Sequence, residues 1–383
     1  MSSPITFPAA ANYLSSIRET AKTARESHGI KISSEAIRAF LHSPALQDTF
    51  SPLSTAHGLA FPLNFPSSLS ELNLISILSL INFGSGYRVP LHKAAGRGAW
   101  DTIRAFGLSS FVSSMTESGE DNLSARALKE MSVTRVAALM NVSVHVESPH
   151  PTLPGVTIGE IGGPLHEFVQ LVSGVLTSTG EILVDRGYPD LGSFMLETLK
   201  EAERFGEGKG VDVDFLLDKD LGYAQLVRAL PAFRDMAIVD GQHNVIPSIL
   251  VHLRILDLST AHSPSLKKAF NSSLSLSNID VLLSASPDKD FTSEEKRLIR
   301  DRARTRIPEE GPVLSSDDAY ILRAAAIDAC EEIVKIAATD ETLPDQIKQM
   351  TLPELDAWLW AGAKDRSDYR ELVRFVERNT IFF

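Results

Sequence analysis

The chain has 383 residues, 43% of them hydrophobic and 22% charged, an ordinary globular balance with room for one large domain or two ordinary ones. Its net charge of -12 repels polyanions, so duplex DNA or long RNA is not an expected partner, whereas a mononucleotide needs only one or two local cations. A single cysteine, Cys330, excludes an internal disulfide and any multi-cysteine metal site.

The opening MSSPITFPAAANYL has neither a charged start nor a signal-type apolar core, and the apolar stretch 72–83 is too short and interrupted to span a bilayer. The expected setting is therefore the cytoplasm, with the nucleus as the alternative, and no membrane partner. Helical periodicity dominates from the start. Ser33 or Ser34 is placed to cap a short helix with Ile37, Phe40 and Leu41 on its apolar side.

Residues 82–104, NFGSGYRVPLHKAAGRGAWDTIR, form the densest segment for chemistry. Gly84, Gly86, Gly96 and Gly98 surround Phe83, Tyr87 and Trp100, with Arg88, Arg97 and Arg104 among them. Glycine permits positive φ or close approach of a ligand, aromatic faces stack a flat base, and guanidinium forks match phosphate. Neither the phosphate-loop Lys-Ser/Thr pair nor the dinucleotide fingerprint is present. Two readings stand side by side: a small-nucleotide pocket, or a loop between core helices whose aromatics pack.

Residues 124–141 repeat Leu128, Met131, Val136 and Leu139 at helical spacing. Residues 141–146 then alternate and predict a strand, the one convincing case in the chain, and 150–164 read as a long Pro/Gly-rich ordered loop. Residues 165–202 predict a helix pair broken at GYPDLG, and 200–220 an exposed connection. Residues 263–312 read as a surface-exposed insert, with a basic helix over 294–306 whose interspersed acids suit a solvated face.

Near the C-terminus, Ser315-x-x-Asp318 and Thr351-x-x-Glu354 resemble capping boxes. The first predicts a helix with Leu322, Ala326, Cys330, Ile333 and Ala337 as its apolar stripe, which favours an inert core thiol over a nucleophile at Cys330. Arg323 falls at the edge of that stripe, where a guanidinium pairs with a structural carboxylate or with a bound phosphate. The second helix sets Asp356, Trp360 and Lys364 at four-residue steps, an acid–indole–amine face suited to lining a pocket. The ten histidines lack zinc spacing, so no metal is expected, and no GxSxG, CxxC or kinase set occurs.

Taken in order, several segments resemble the queuosine salvage proteins, the queuosine 5′-phosphate N-glycosidases. They are ANYLSSIRETAKTARESHGIKISSEAIRAFL, LINFGSGYR, GRGAWDTIRA, TGEILVDRGYPDLGSF, LVRALPAFRDMAIVDG, VIPSILVHLRIL, YILRAAAIDACEEIV and LDAWLWAGAKD. The shared order is more specific than any one of them.

The resemblance implies a mainly α protein over 1–383, a single helical domain resembling helical DNA glycosylases with few short strands. It implies a hydrolase that cleaves the N-glycosidic bond of queuosine 5′-monophosphate and releases queuine for tRNA queuosine salvage, without a cofactor. A 7-deaza base cannot be protonated at the missing ring nitrogen, so the rate must come from stabilising an oxocarbenium-like sugar and from a carboxylate that delivers water or attacks.

By position, Asn82 and Phe83 would border the base or sugar, Trp100 and Trp360 would be aromatic walls, and Arg323 would hold the phosphate. Asp356 matches an acidic position on the last helix. Asp235 matches the Asp of the family's Phe-x-Asp segment, where a structural role is an equal reading. One departure stands out. The family's catalytic Asp aligns with His243, and the two flanking motifs are nearly fused at GQHNVIP. Histidine serves as a general base near neutral pH but gives no fixed negative charge, and Asp240 substitutes only if that short connection folds inward. The alternative expectation is a catalytically impaired relative that binds a nucleotide or a protein partner. In either case, helices from both ends of the polypeptide converge on the ligand.

Overall fold

Long apolar runs with helical spacing bury best against one another, and helices account for most of the architecture. The computed structural model describes residues 13–48, 50, 65–115, 121–205, 236–239, 242–245, 310–313, 316–352, 354–355, 358 and 374–376. Mainly α is therefore the class of the described residues.

The N-terminal helices are α1 (Tyr13–Ser27), α2 (Ser34–Leu41) and α3 (Pro44–Gln47). Ser33, not Ser34, caps α2 by accepting from the Ala36 N–H. A central group follows: α4 (Ser68–Leu80), a 3-10 turn at Ser85–Tyr87, α5 (Arg88–Ala95) and α6 (Ala99–Ser114). It continues with α7 (Ala125–Lys129) and α8 (Val133–Leu139), then α9 (Gly163–Asp185) and α10 (Leu191–Phe205). Toward the C-terminus lie α11 (Ser316–Thr339) and α12 (Asp345–Lys348).

Among the described residues, strands come in three separate pairs. β1 (His145–Pro149) and β2 (Thr157–Ile161) are antiparallel, with Glu147 opposite Gly159. β3 (Met236–Val239) and β4 (Gln242–Val245) are antiparallel with Val239 opposite Gln242, and β5 (Glu310–Val313) runs parallel to β6 (Arg374–Val376).

The main core joins α4, α6, α7, α8, α9 and α10 through Leu74, Ile77, Phe106, Leu128, Val136, Phe168, Leu176 and Met195. Two glycines let backbones meet. A Cβ on Gly180 of α9 would lie 2.1 Å from the Lys129 nitrogen, and one on Gly192 of α10 would lie 2.8 Å from the Asn73 nitrogen. Asn73 is buried, donates to the Leu123 carbonyl at 3.0 Å and accepts from the Gly192 N–H at 3.1 Å. A second core joins α2 and α3 to α11 and α12 through Ile37, Leu41, Leu46, Ile336, Ala337 and Ile347. A third, small one sets Ala21 and Ala24 of α1 on Ala324 and Ile327 of α11. Helices from the two ends of the chain do therefore meet.

Five expectations need correction or narrowing. The segment 124–141 is two helices, because Ser132 starts a new one by accepting from the Arg135 N–H. Ser173 and Thr177 of α9 then satisfy the Met131 carbonyl at that break. The predicted strand at 141–146 begins only at His145, and the predicted loop at 150–164 contains its partner β2 and the start of α9. On α11 the buried face is Ala324, Ile327, Ile336 and Ala337, while Ala326 is exposed and Cys330 is half-buried. At Thr351 the Glu354 carboxylate accepts from the backbone N–H at 2.8 Å and from the hydroxyl at 2.9 Å, which is the Glu half of the expected box.

The helix pair at 165–202 is present as α9 and α10, and Asp190 in the intervening turn accepts from the Ser193 N–H at 2.6 Å. The basic run 294–306 lies outside the described residues, as does the insert except for its last three residues, in β5. The Ser315 capping position lies outside them too.

Candidate functional site

Gly84 (φ +102°) follows the first aromatic of the 82–104 segment, and its reason lies across the core. A Cβ there would stand 2.3 Å from the Phe168 ring, so only glycine lets α9 bring that ring against the turn. Phe168 meets Phe83 edge-on at 6.3 Å and Tyr87 at 5.4 Å. Phe83 is 3% exposed and Tyr87 is 0% exposed. These two aromatics pack, as the plainer reading of the segment held, and Phe83 lies beneath the turn. Asn82 is exposed.

The second half of the segment has a different character. α5 ends at Gly96 (φ +65°), whose N–H donates to the His92 carbonyl, and Gly98 starts α6 in extended backbone. The two glycines turn the chain through a tight corner that holds His92, Arg97, Trp100 and Arg104. Arg97 reaches α8, where its Nη2 donates to the Met140 carbonyl and, at 3.4 Å, to that of Asn141. Asn141 takes the left-handed conformation (φ 49°) that closes the helix end. A guanidinium on C-terminal carbonyls also suits the helix dipole.

Among the described residues, four side-chain nitrogens in this corner are covered and have no hydrogen-bond partner: His92 Nδ1, Arg97 Nε, Trp100 Nε1 and Arg104 Nε. A buried donor left without an acceptor costs about 1–3 kcal/mol, so the three N–H donors of Arg97, Trp100 and Arg104 within eight residues are a concentrated expense of stability. Arg104 Nη1 lies 3.9 Å from Asp101, an outer ion pair with an exposed acid. Burial, then the Arg88 charge, holds the His92 imidazole below its ordinary value, and Asp101 opposes them.

β6 lies against the 3-10 turn at 85–87, and β3 and β4 contact α11 and α1 respectively. His243 sits on β4 opposite Ile238, and Arg323 sits on α11 next to buried Ala324. The strand bearing one and the helix bearing the other are thus joined through the α1–α11 pair and β3. Asp235, Asp240, Asp356, Trp360 and Lys364 lie outside the described residues. Trp100 packs on the margin of the main core.

His92 was not singled out by sequence reasoning; its signal was a histidine in the last turn before Gly-x-Gly. Among the described residues no group of His, Cys, Asp or Glu is placed to hold a metal ion, and no helix is long and apolar enough to cross a membrane. No family model, curated protein or solved structure matches the chain at a significant level.

Proposed function

We propose that this chain binds a nucleoside 5′-monophosphate and hydrolyses the N-glycosidic bond of queuosine 5′-monophosphate, releasing queuine for tRNA queuosine salvage in the cytoplasm. The observation that carries this reading is the ordered run of segments resembling queuosine 5′-phosphate N-glycosidases, from ANYLSSIRE to LDAWLWAGAKD. Support also comes from a mainly helical chain in which Trp100 and two arginines gather at one glycine-bounded corner.

In this mechanism the base stacks between Trp100 and Trp360, with Asn82 at the rim and Phe83 supporting the turn below. Arg323 binds the phosphate, and Asp356 and Lys364 complete the wall. Water is delivered to the anomeric carbon by His243 as general base, with Asp240 or Asp235 supplying the negative charge that an oxocarbenium-like sugar needs. The bond from sugar to base breaks, the base leaves as queuine after protonation, and ribose 5-phosphate remains.

A second reading is favoured by one observation. His243 occupies the family's catalytic Asp position, on a strand separated from its hairpin partner by only two residues. This reading is a nucleotide or protein binder without turnover.

Incubating the purified chain with queuosine 5′-monophosphate separates the readings. Release of free queuine supports hydrolysis, and saturable binding without release supports the binder. No shift of thermal stability with nucleotide or base sinks both nucleotide readings. Arg323→Ala is expected to weaken monophosphate binding about 100-fold and nucleoside binding less than about threefold, as loss of a charge-assisted pair requires. Equal loss for both ligands removes Arg323 from the phosphate role.

A further inference from the structure

Acids outnumber Lys and Arg in this chain by 49 to 37, yet at the α5–α6 corner the arginine Nε groups meet no carboxylate among the described residues. The acid paired with this corner is Asp101, which is exposed and 3.9 Å from the Nη1 end of Arg104. Trp100 and Arg104 are one turn apart on α6, and Arg97 immediately precedes its N-cap, Gly98. His92 closes the corner from α5, its Nε2 being 3.6 Å from where a Cβ on Gly98 would sit. Arg97 is already anchored to α8 by its Nη2, which leaves its Nε free to serve a ligand without a search of rotamers.

We infer that this corner is an oxyanion site for a phosphate-type dianion, held by Arg97, Arg104 and the Trp100 indole N–H with His92 beside them. Phosphate accepts several such hydrogen bonds at once, and the guanidinium fork matches its geometry. The four nitrogens are covered, while Arg104 keeps 26% of its side chain exposed. Free inorganic phosphate and a phosphomonoester carry the same chemistry. The site shares Trp100 with the proposed base pocket but does not involve Arg323, so its binding is tested separately from queuine release.

The test is titration of the full-length chain with inorganic phosphate, ribose 5-phosphate and ribose, followed by calorimetry and tryptophan fluorescence at low ionic strength. Saturable binding of both phosphates but not ribose is expected, and binding of ribose 5-phosphate alone would assign the site to a monoester. Arg104→Gln should weaken phosphate about tenfold and Trp100→Phe about fivefold, as loss of one charge-assisted or indole donor requires. Asp101→Asn should tighten it two- to threefold, a gain that unfolding cannot imitate. Arg126→Gln, at an exposed position on α7, should leave it unchanged.

No saturable phosphate binding overturns the inference. So does binding that Arg104→Gln, Trp100→Phe and Asp101→Asn all leave alone, which would mark a general surface effect. Either failure, with queuine still released from queuosine 5′-monophosphate, leaves the hydrolase reading standing. Corner binding by the unaltered chain, with no queuine released from queuosine 5′-monophosphate, does the reverse.

Discussion

The contact of α9 with α7 and that of α1 with α11 hold helices together by opposite means. At the first, Gly180 brings two backbones together inside the main core, where Leu128, Val172 and Leu176 are fully buried. At the second, the buried side chains are Ala21, Ala24, Ala324 and Ile327, and charge does much of the joining. Arg25 pairs with Asp328 and donates to the Ile30 carbonyl at 2.7 Å, and Arg18 meets Glu331 at 2.6 Å. Close packing is indifferent to salt and intolerant of one added methyl, whereas ion pairs have the reverse sensitivities.

The largest effect should come from the packed side. Gly180→Ala forces two backbones apart and is expected to destabilise the protein by about 3 kcal/mol or more, equally at low and high salt, in urea denaturation. A loss under about 1 kcal/mol would show that α9 does not approach α7 as described. On the charged side, Arg25→Ala should cost about 1–2 kcal/mol at low salt, and molar salt should shrink the difference. A salt-independent loss would move α1 into the class of the packed helices.

The smallest effect is a pH dependence confined to the α2–α11 end. Hydrogen bonds from the Thr342 hydroxyl and N–H, and then from His42, hold the Asp340 carboxyl at about 2. Since that is below its value of 3.8 in the unfolded chain, the contribution is complete above about pH 4. It fades as pH falls toward 2. In acid titration followed by circular dichroism, Asp340→Asn should flatten the variant's stability profile over that window. An unchanged profile would remove Asp340 from the clasp.

Local chemistry made part of this legible in the sequence. Ser33 at the start of α2, the GYPDLG break before α10 and the Thr351–Glu354 pair all act within four residues, and reading them required no tertiary knowledge. Ser132 carried the same kind of signal, but an apolar periodicity running across it concealed the break between α7 and α8. β2 was missed because Gly159 and its flanking glycines read as loop, whereas pairing with β1 decides the matter.

The site divides in the same way. Arg97 and Arg104 stood out as guanidinium donors beside Trp100, and the corner gathers them. The need for glycine at 84 comes from Phe168, a contact 84 residues away that no local pattern encodes. Phe83 fits either reading by sequence, a ring bordering a ligand or a packed one, and its burial comes from the contact with Phe168 of α9.

One amide decides how far the central bundle can be trimmed. With Asn73 tied at one end to the chain before α7 and at the other to the start of α10, any fragment ending ahead of Gly192 orphans a buried acceptor in α4. A piece of this bundle that satisfies that amide therefore keeps the chain from Asn73 through Gly192.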